Sequence, residues 1–223
     1  EQHVSDFGTL KYDTKGKNFW SRAYNNSPAG NTGINTPTAL AVDQSGNVYV
    51  VGNYQTDFNS PTTQVILQYQ NSSNKKEDGK QKVISNDFNI GNGGSTKSVC
   101  IDQQGFLYVT SHEKTDSNSS TVIKFDSSGQ AIWTKKNNAS SVAGAVMDNT
   151  GNLYVASTNN DSFVVFKYDG SGNQTVFSGD IQGEAKAIAV DPNSNVYVAG
   201  VPYKQQSGSV VVVNYDSYGS IYW

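Results

Sequence analysis

Two patterns of apolar and polar residues alternate along the chain, and each predicts a β-hairpin. The first is an apolar run, an Asp, a polar turn and a second apolar run whose Tyr lies six residues after the Asp. Short apolar runs bounded by turn residues are typical of strands. Asp accepts local backbone N–H groups and Gly adopts positive φ, so the Asp residues are interpreted as turn formers rather than catalysts. The four copies occupy 39–50, 98–109, 144–155 and 187–198.

The second pattern is an apolar run that ends in an aromatic residue and Asp, with Gly three residues after the Asp and, in three copies, Trp seven residues after it. A degenerate fifth copy at 65–70 lacks the Asp and the Gly and carries a polar insertion at 71–82. These hairpins predict the third and fourth strands of a four-stranded unit. The regular copies lie at 10–20, 122–133, 165–172 and 213–223.

This alternation predicts an all-β chain: a β-propeller of four-stranded antiparallel blades, with about four and a half blades and 18 strands. The repeated Tyr and Trp residues are interpreted as packing between blades. A small ring of five blades is the favoured closure, and a fragment of a larger ring is the second. The single predicted domain, 1–223, divides into a half blade at 1–36 and blades at about 37–96, 97–141, 142–184 and 185–223.

The composition indicates where the protein acts and which classes of partner it does not bind. With 13 Tyr, 21 Gly and 16% charged residues, the chain resembles exported all-β proteins, so we expect it to be secreted or on the cell surface. It begins at Glu1 without a signal peptide, which predicts a processed product. A net charge of −3 without a basic stripe argues against nucleic acid, and no apolar run has the length of a membrane span. Cys100 replaces an Ala or Val of the sister repeats and is interpreted as a small buried hydrophobe.

Strand direction places the short Asp/Gly turns on one face of the ring and the remaining connections on the opposite face, here called the loop face. The loop-face segments are 21–36, 52–64, 85–96, 111–121, 135–141, 157–163, 178–184 and 200–209. Variable loops on a rigid scaffold commonly bind ligands, and aromatic rings beside amides suit a glycan or a protein. The predicted ligand-binding residues are Tyr24, Tyr54, Phe58, Phe88, His112, Asn159, Asp161 and Tyr203.

Motifs for chemistry are sparse. His3 and His112 lack metal-ligand spacing, and no nucleophile elbow, phosphate-binding loop or dinucleotide fingerprint occurs. We therefore assign no catalytic residue, metal ligand or cofactor from the sequence. Paired acids for a lyase or hydrolase could be assembled only across loops. The candidates are Asp57, Asp87, Glu113 and Asp161, with His112 nearby.

At 39–52 and 122–133 the sequence resembles the seven-bladed beta-propeller repeat (SBBP) of bacterial exported proteins, with NHL-type and PQQ-type propellers as more distant relatives. The resemblance covers nearly the whole chain. It implies a propeller fold and often a secreted or cell-surface setting, and it supplies no catalytic residues. The chain departs from the PQQ type, because Trp20, Trp133 and Trp223 stand at one equivalent position without that family's fuller Trp-docking pattern. It departs from the SBBP name because four and a half blades cannot close a seven-bladed ring.

Three functions fit these patterns. The first is a non-catalytic extracellular binding or scaffold module that acts through the loop face. The second is a propeller-type lyase or hydrolase with acidic loop residues near the axis. The third is a structural module that associates with neighbouring copies through its incomplete blade, since open sheet edges invite pairing.

Overall fold

The computed structural model describes residues 6–25, 33–56, 60–74, 76–86, 88, 94–113, 119–203 and 209–223. This part of the chain is all-β, with sixteen strands and no helix, as the alternating hairpins predict. The strands are β1 (Phe7–Tyr12), β2 (Asn18–Tyr24), β3 (Ile34–Val42), β4 (Val48–Gln55), β5 (Thr63–Tyr69), β6 (Gln81–Asn86), β7 (Ser95–Ile101), β8 (Leu107–Glu113), β9 (Ser119–Phe125), β10 (Ala131–Asn138), β11 (Ser141–Met147), β12 (Leu153–Asn159), β13 (Ser162–Tyr168), β14 (Gln174–Val190), β15 (Val196–Pro202) and β16 (Val211–Tyr215).

The strands form antiparallel sheets in the predicted order. Strands β1 and β2 form the half blade, β3 to β6 form blade 1, and β7 to β10 form blade 2. Blades 3 and 4 share one six-stranded sheet, because β14 is both the outer strand of blade 3 and the inner strand of blade 4. A single bridge between Tyr215 and Ile221 stands in for the last predicted strand. The merged β14 and this bridge account for the difference from the predicted 18 strands.

The hydrophobic core lies between blades rather than inside them. Each of four buried clusters joins one blade to the next. Aromatic contacts recur at these junctions: the rings of Trp20 and Tyr69 stack with centroids 5.5 Å apart, and Trp133 lies 5.8 Å from Tyr168. These contacts confirm packing between blades for Trp20 and Trp133, whereas Trp223 is 63% exposed and contacts Tyr197 of its own blade.

The Asp–Tyr spacing has a structural cause. In the blade 3 hairpin, one carboxylate oxygen of Asp148 accepts the backbone N–H groups of Thr150 and Asn152, each at 2.9 Å. The other oxygen accepts the Tyr154 hydroxyl at 3.0 Å. The same Tyr-to-Asp bond forms in the other three copies, at 3.0 to 3.3 Å. Each Asp therefore closes its turn and anchors the neighbouring strand, as expected of a turn former.

Several connections predicted as long loops are short or absent. Residues 178–184 belong to β14, and only 139–140 separate β10 from β11. The 157–163 connection is reduced to a tight turn in which Asn160 and Asp161 have φ of 45° and 59°. The prediction was wrong here because polar residues at the ends of these strands resemble loop residues in sequence, although their backbones continue the sheet pairing.

Among the described residues, no helix is long and apolar enough to cross a membrane.

Candidate functional site

The predicted loop-face residues of the half blade and blade 1 are largely core residues. Tyr24 ends β2 with 7% of its surface exposed, and its ring centroid lies 5.6 Å from that of Phe7. Burial, with smaller contributions from Tyr54 and Tyr69, raises the pKa of Tyr24 to about 12. Tyr54 is half-buried against the same cluster. Phe58 lies outside the described residues.

Two further predicted residues pack inward. Phe88 meets Phe125 edge to face, with ring centroids 5.2 Å apart. His112 is buried within β8, opposite Ser95 of β7 and Ser120 of β9. Phe88 therefore packs against the core between blades 1 and 2, and His112 lies within the sheet of blade 2.

The other three predicted residues lie at the junction of blades 3 and 4. Asn159 precedes the tight turn that contains Asp161, whose backbone carbonyl accepts the Gly183 N–H at 2.8 Å. The Tyr203 N–H donates to the Gln182 carbonyl at 3.1 Å, and the Tyr203 side chain is 53% exposed. Binding by these loop-face residues stays a prediction.

The acids considered for an enzymatic site do not form a described pair. Asp57 and Asp87 lie outside the described residues. Glu113 accepts the Ser119 hydroxyl at 2.7 Å and lies 3.7 Å from the Lys136 ammonium, whereas Asp161 is exposed in its turn. Within the described ranges, no group of three or more His, Cys, Asp or Glu side chains converges.

A groove that the sequence analysis did not predict lies on the turn face, between the half blade and the 71–82 insertion of blade 1. The hairpin β1–β2 forms one wall and the insertion forms the other, and the groove encloses about 630 Å³. A second, polar recess of about 580 Å³ flanks the insertion on the blade 1 side. The groove is lined by Asp13, Lys17, Asn18, Phe19, Trp20, Arg22, Ser72, Ser73 and Asp78.

Charged contacts join the two walls. The Lys11 ammonium lies 3.2 Å from the Asp78 carboxylate and donates to the Asn71 side chain at 2.8 Å. Arg22 donates through Nε to the Gly79 carbonyl at 2.8 Å and through Nη2 to the Asp78 carbonyl at 3.1 Å. The insertion is therefore fastened to the half blade by side chains of β1 and β2.

Aromatic side chains supply the apolar part of the groove. Phe19 is 59% exposed, and its ring lies 5.8 Å from the Lys11 ammonium. Trp20 is 7% exposed, and no hydrogen-bond partner of its indole N–H is found among the described residues. The equivalent Trp133 donates its indole N–H to the Gly170 carbonyl in the next blade's turn, at 3.4 Å.

The insertion explains that difference. It replaces the Asp/Gly turn that would supply the matching carbonyl to Trp20, and it opens the groove in the same place. The sequence predicts 71–82 as a polar insertion in a degenerate copy of the second pattern, but it does not predict a groove there. Only the fold shows that the insertion lies opposite Phe19 and Trp20.

The sequence matches no known family model and no curated protein sequence. Solved structures of similar fold include a protein from Lactobacillus plantarum, at 15% identity and a TM-score of 0.63, which covers 99% of this chain and 64% of that one. A protein provisionally named a gluconolactonase is similar at 12% identity and a TM-score of 0.52, covering 96% of this chain and 68% of its own.

PorZ, a surface component of the type-IX secretion system of Porphyromonas gingivalis, is similar at 12% identity and a TM-score of 0.55 over 96% of this chain and 30% of its own. The chain thus spans about two thirds of the length of the first two structures and less than a third of PorZ. At such identities the likeness concerns the fold alone. Together with the sheet order and the core between blades, it identifies the chain as a β-propeller.

Proposed function

We propose that this propeller is a non-catalytic binding module and that the groove between the half blade and the 71–82 insertion holds a glycan. The observation that carries the proposal is the exposed Phe19 ring in a groove of about 630 Å³ whose other lining residues are mostly polar or charged. An aromatic ring covers the apolar face of a sugar, while carboxylates, amides and hydroxyls pair with its hydroxyl groups. This combination is available in the groove.

The scaffold supports the same proposal. Both walls of the groove are fixed, one by the β1–β2 ladder and the other by the contacts of Lys11 and Arg22 with the insertion. A preformed site loses less conformational entropy on binding than a mobile one. Gly79 packs against the Trp20 ring, so the backbone of the insertion is held close to the aromatic wall.

The proposal also includes a cellular location and a family. Secretion or display at the cell surface is supported by the Tyr-, Gly- and Asn-rich composition, and membership of the SBBP family by the two repeated patterns. A glycan bound on the loop face is an alternative outcome of the same experiments, and a protein ligand is the alternative if the array contains no binder. A lyase or hydrolase is not favoured by any contact among the described residues.

The test is a screen on an array of bacterial, plant and animal oligosaccharides, followed by titration calorimetry with the strongest binder. Phe19→Ala should weaken binding about fivefold or more, because a stacked ring contributes of the order of 1 kcal/mol or more. Tyr218→Ala is the matched control, since Tyr218 is 87% exposed and does not line the groove. Equal losses in both variants, or an array without binders, would refute the proposal.

A further inference from the structure

The half blade has an open side, defined here as the edge of β1 away from β2 together with Leu40 and Val42 of β3. Among the described residues, β1 pairs only with β2. Leu40 and Val42 lie directly opposite Val50 and Val48 of β4, which belong to the core between the half blade and blade 1 or pack against it. Opposed residues of neighbouring strands share a face, so Leu40 and Val42 point toward the half blade.

Leu40 and Val42 are exposed where their counterparts are covered. Leu40 is 61% exposed and Val42 is 52% exposed. The repeat places Val99 of blade 2 at the position of Leu40, and Val99 is 7% exposed because the inner strands of blade 1 pack on it. The counterpart in blade 4, Ile188, is half-buried against the core between blades 3 and 4. The exposure of Leu40 therefore reflects a missing neighbour and not a property of the repeat position.

Strand equivalence specifies that neighbour. The second sequence pattern makes β1 the counterpart of β5, β9, β13 and β16. In each of those cases the edge that is free in β1 pairs with a strand of the first pattern, such as β4 with β5 or β12 with β13. The partner strand is in turn paired with an inner strand that contacts the inner strand of the next blade.

We propose that the open side binds a fifth hairpin of the first pattern, an apolar run, an Asp turn and a Tyr-Val strand. Its Tyr-Val strand would pair with β1, and its other strand would cover Leu40 and Val42. All four hairpins of this pattern within the 223 residues are already built into blades 1 to 4. A second copy would therefore have to open one of its own blades to donate one. The occupant is thus a hairpin from a segment other than these residues, and the groove proposal does not depend on it.

The test adds a synthetic peptide with the sequence of residues 144–159 to the full chain. The free peptide should be largely unfolded, because isolated two-stranded hairpins are only marginally stable. Binding to the free edge of β1 would supply main-chain hydrogen bonds that the free peptide lacks. We expect saturable binding by calorimetry, with at least tenfold slower amide exchange in β1. A peptide carrying Tyr154→Pro should not bind, because Pro removes a ladder hydrogen bond.

Two variants of the protein test whether the peptide binds at the open side. Leu40→Asp should weaken peptide binding at least tenfold, whereas Ile132→Asp, at a residue 50% exposed on the outer strand β10, should leave it unchanged. Circular dichroism before titration shows that both variants are folded. A folded chain that neither binds the peptide nor slows its β1 exchange overturns the proposal. The proposal is also overturned if, without peptide, amide exchange in β1 slows as the protein concentration rises. A second copy of the chain would then fill the open side.

Discussion

At the scale of single residues, the Asp–Tyr pairs connect stability to pH. Burial alone would raise the pKa of Asp148. Hydrogen bonds from the Asn152 and Thr150 side chains and from both backbone N–H groups outweigh burial and lower this pKa to about 2. A carboxyl whose pKa is lower in the folded state stabilises the fold above its unfolded pKa, and this contribution is lost as pH falls through the folded value.

Asp148→Asn should therefore lower the free energy of unfolding at pH 7 by about 2 kcal/mol, from a pKa difference of nearly two units. The amide also places an N–H group against the Tyr154 hydroxyl and the Asn152 amide, which are donors in the present contacts. Urea unfolding at pH 7, 4 and 2 measures the effect. The difference between the variant and the original chain should shrink between pH 4 and pH 2, and a difference that stays constant would contradict the assignment.

Cys100 gives a second prediction at this scale. Burial raises the pKa of its thiol to about 12, and Sγ lies 3.4 Å from the Ala145 carbonyl, beside the core between blades 2 and 3. Since the thiolate is the reactive form, iodoacetamide at pH 8 should modify the unfolded chain at least tenfold faster than the folded one. Mass spectrometry of samples with and without urea checks this, and equal rates would show that the thiol is accessible.

At the scale of elements, the glycine turns differ in what surrounds them. Gly129 has φ of +91°, and an added Cβ would lie 1.8 Å from the Ile84 carbonyl oxygen of blade 1. Gly105 has φ of +86°, and an added Cβ there meets nothing within 4 Å. Both turns require the left-handed region, but only the β9–β10 turn is also wedged against another blade.

Gly105→Ala should thus cost roughly 1 kcal/mol from backbone strain alone. Gly129→Ala should cost roughly 1–3 kcal/mol more, because the turn or blade 1 must shift to relieve the contact. Chemical denaturation of the two variants measures both values. Equal destabilisation would mean that the contact between blades at Gly129 is easily relaxed.

Some of these elements could be predicted from the sequence and others could not. Hairpins were predictable because the period of the apolar residues and the Asp/Gly turns is local information. The continuous β14 was not, since Gln182 and Glu184 resemble a polar loop while the pairing of their backbones depends on neighbouring strands. The groove was missed for the same reason: Phe19 and the insertion are about 55 residues apart, and only blade packing places them face to face.

At the scale of the whole molecule, each blade is stabilised mainly by its neighbours, as in other repeat proteins. Trp133 packs into the core between blades 2 and 3, whereas the equivalent Trp223 is 63% exposed beyond the last blade. At the opposite end, Leu10 and Tyr12 of the half blade are 52% and 56% exposed. The two ends therefore present the halves of an interface that the chain builds internally several times.

Trp133→Ala should destabilise the chain by about 2–3 kcal/mol, because a large, partly buried side chain that packs against the core between two blades is removed. Trp223→Ala should change the free energy of unfolding by less than about 1 kcal/mol. Thermal and urea unfolding of both variants provide the comparison. A large effect of Trp223→Ala would mean that the last blade has a neighbour in solution.

The shared strand β14 makes the junction of blades 3 and 4 unlike the others. Its seventeen residues run from one blade into the next within a single six-stranded sheet, whereas the other blades belong to separate sheets. A protease needs a segment that can leave its sheet, and here the backbone is held by pairing on both sides of the junction. Under mild digestion, the β14 backbone should therefore resist cleavage at the junction, so that blades 3 and 4 separate only after the sheet they share has unfolded.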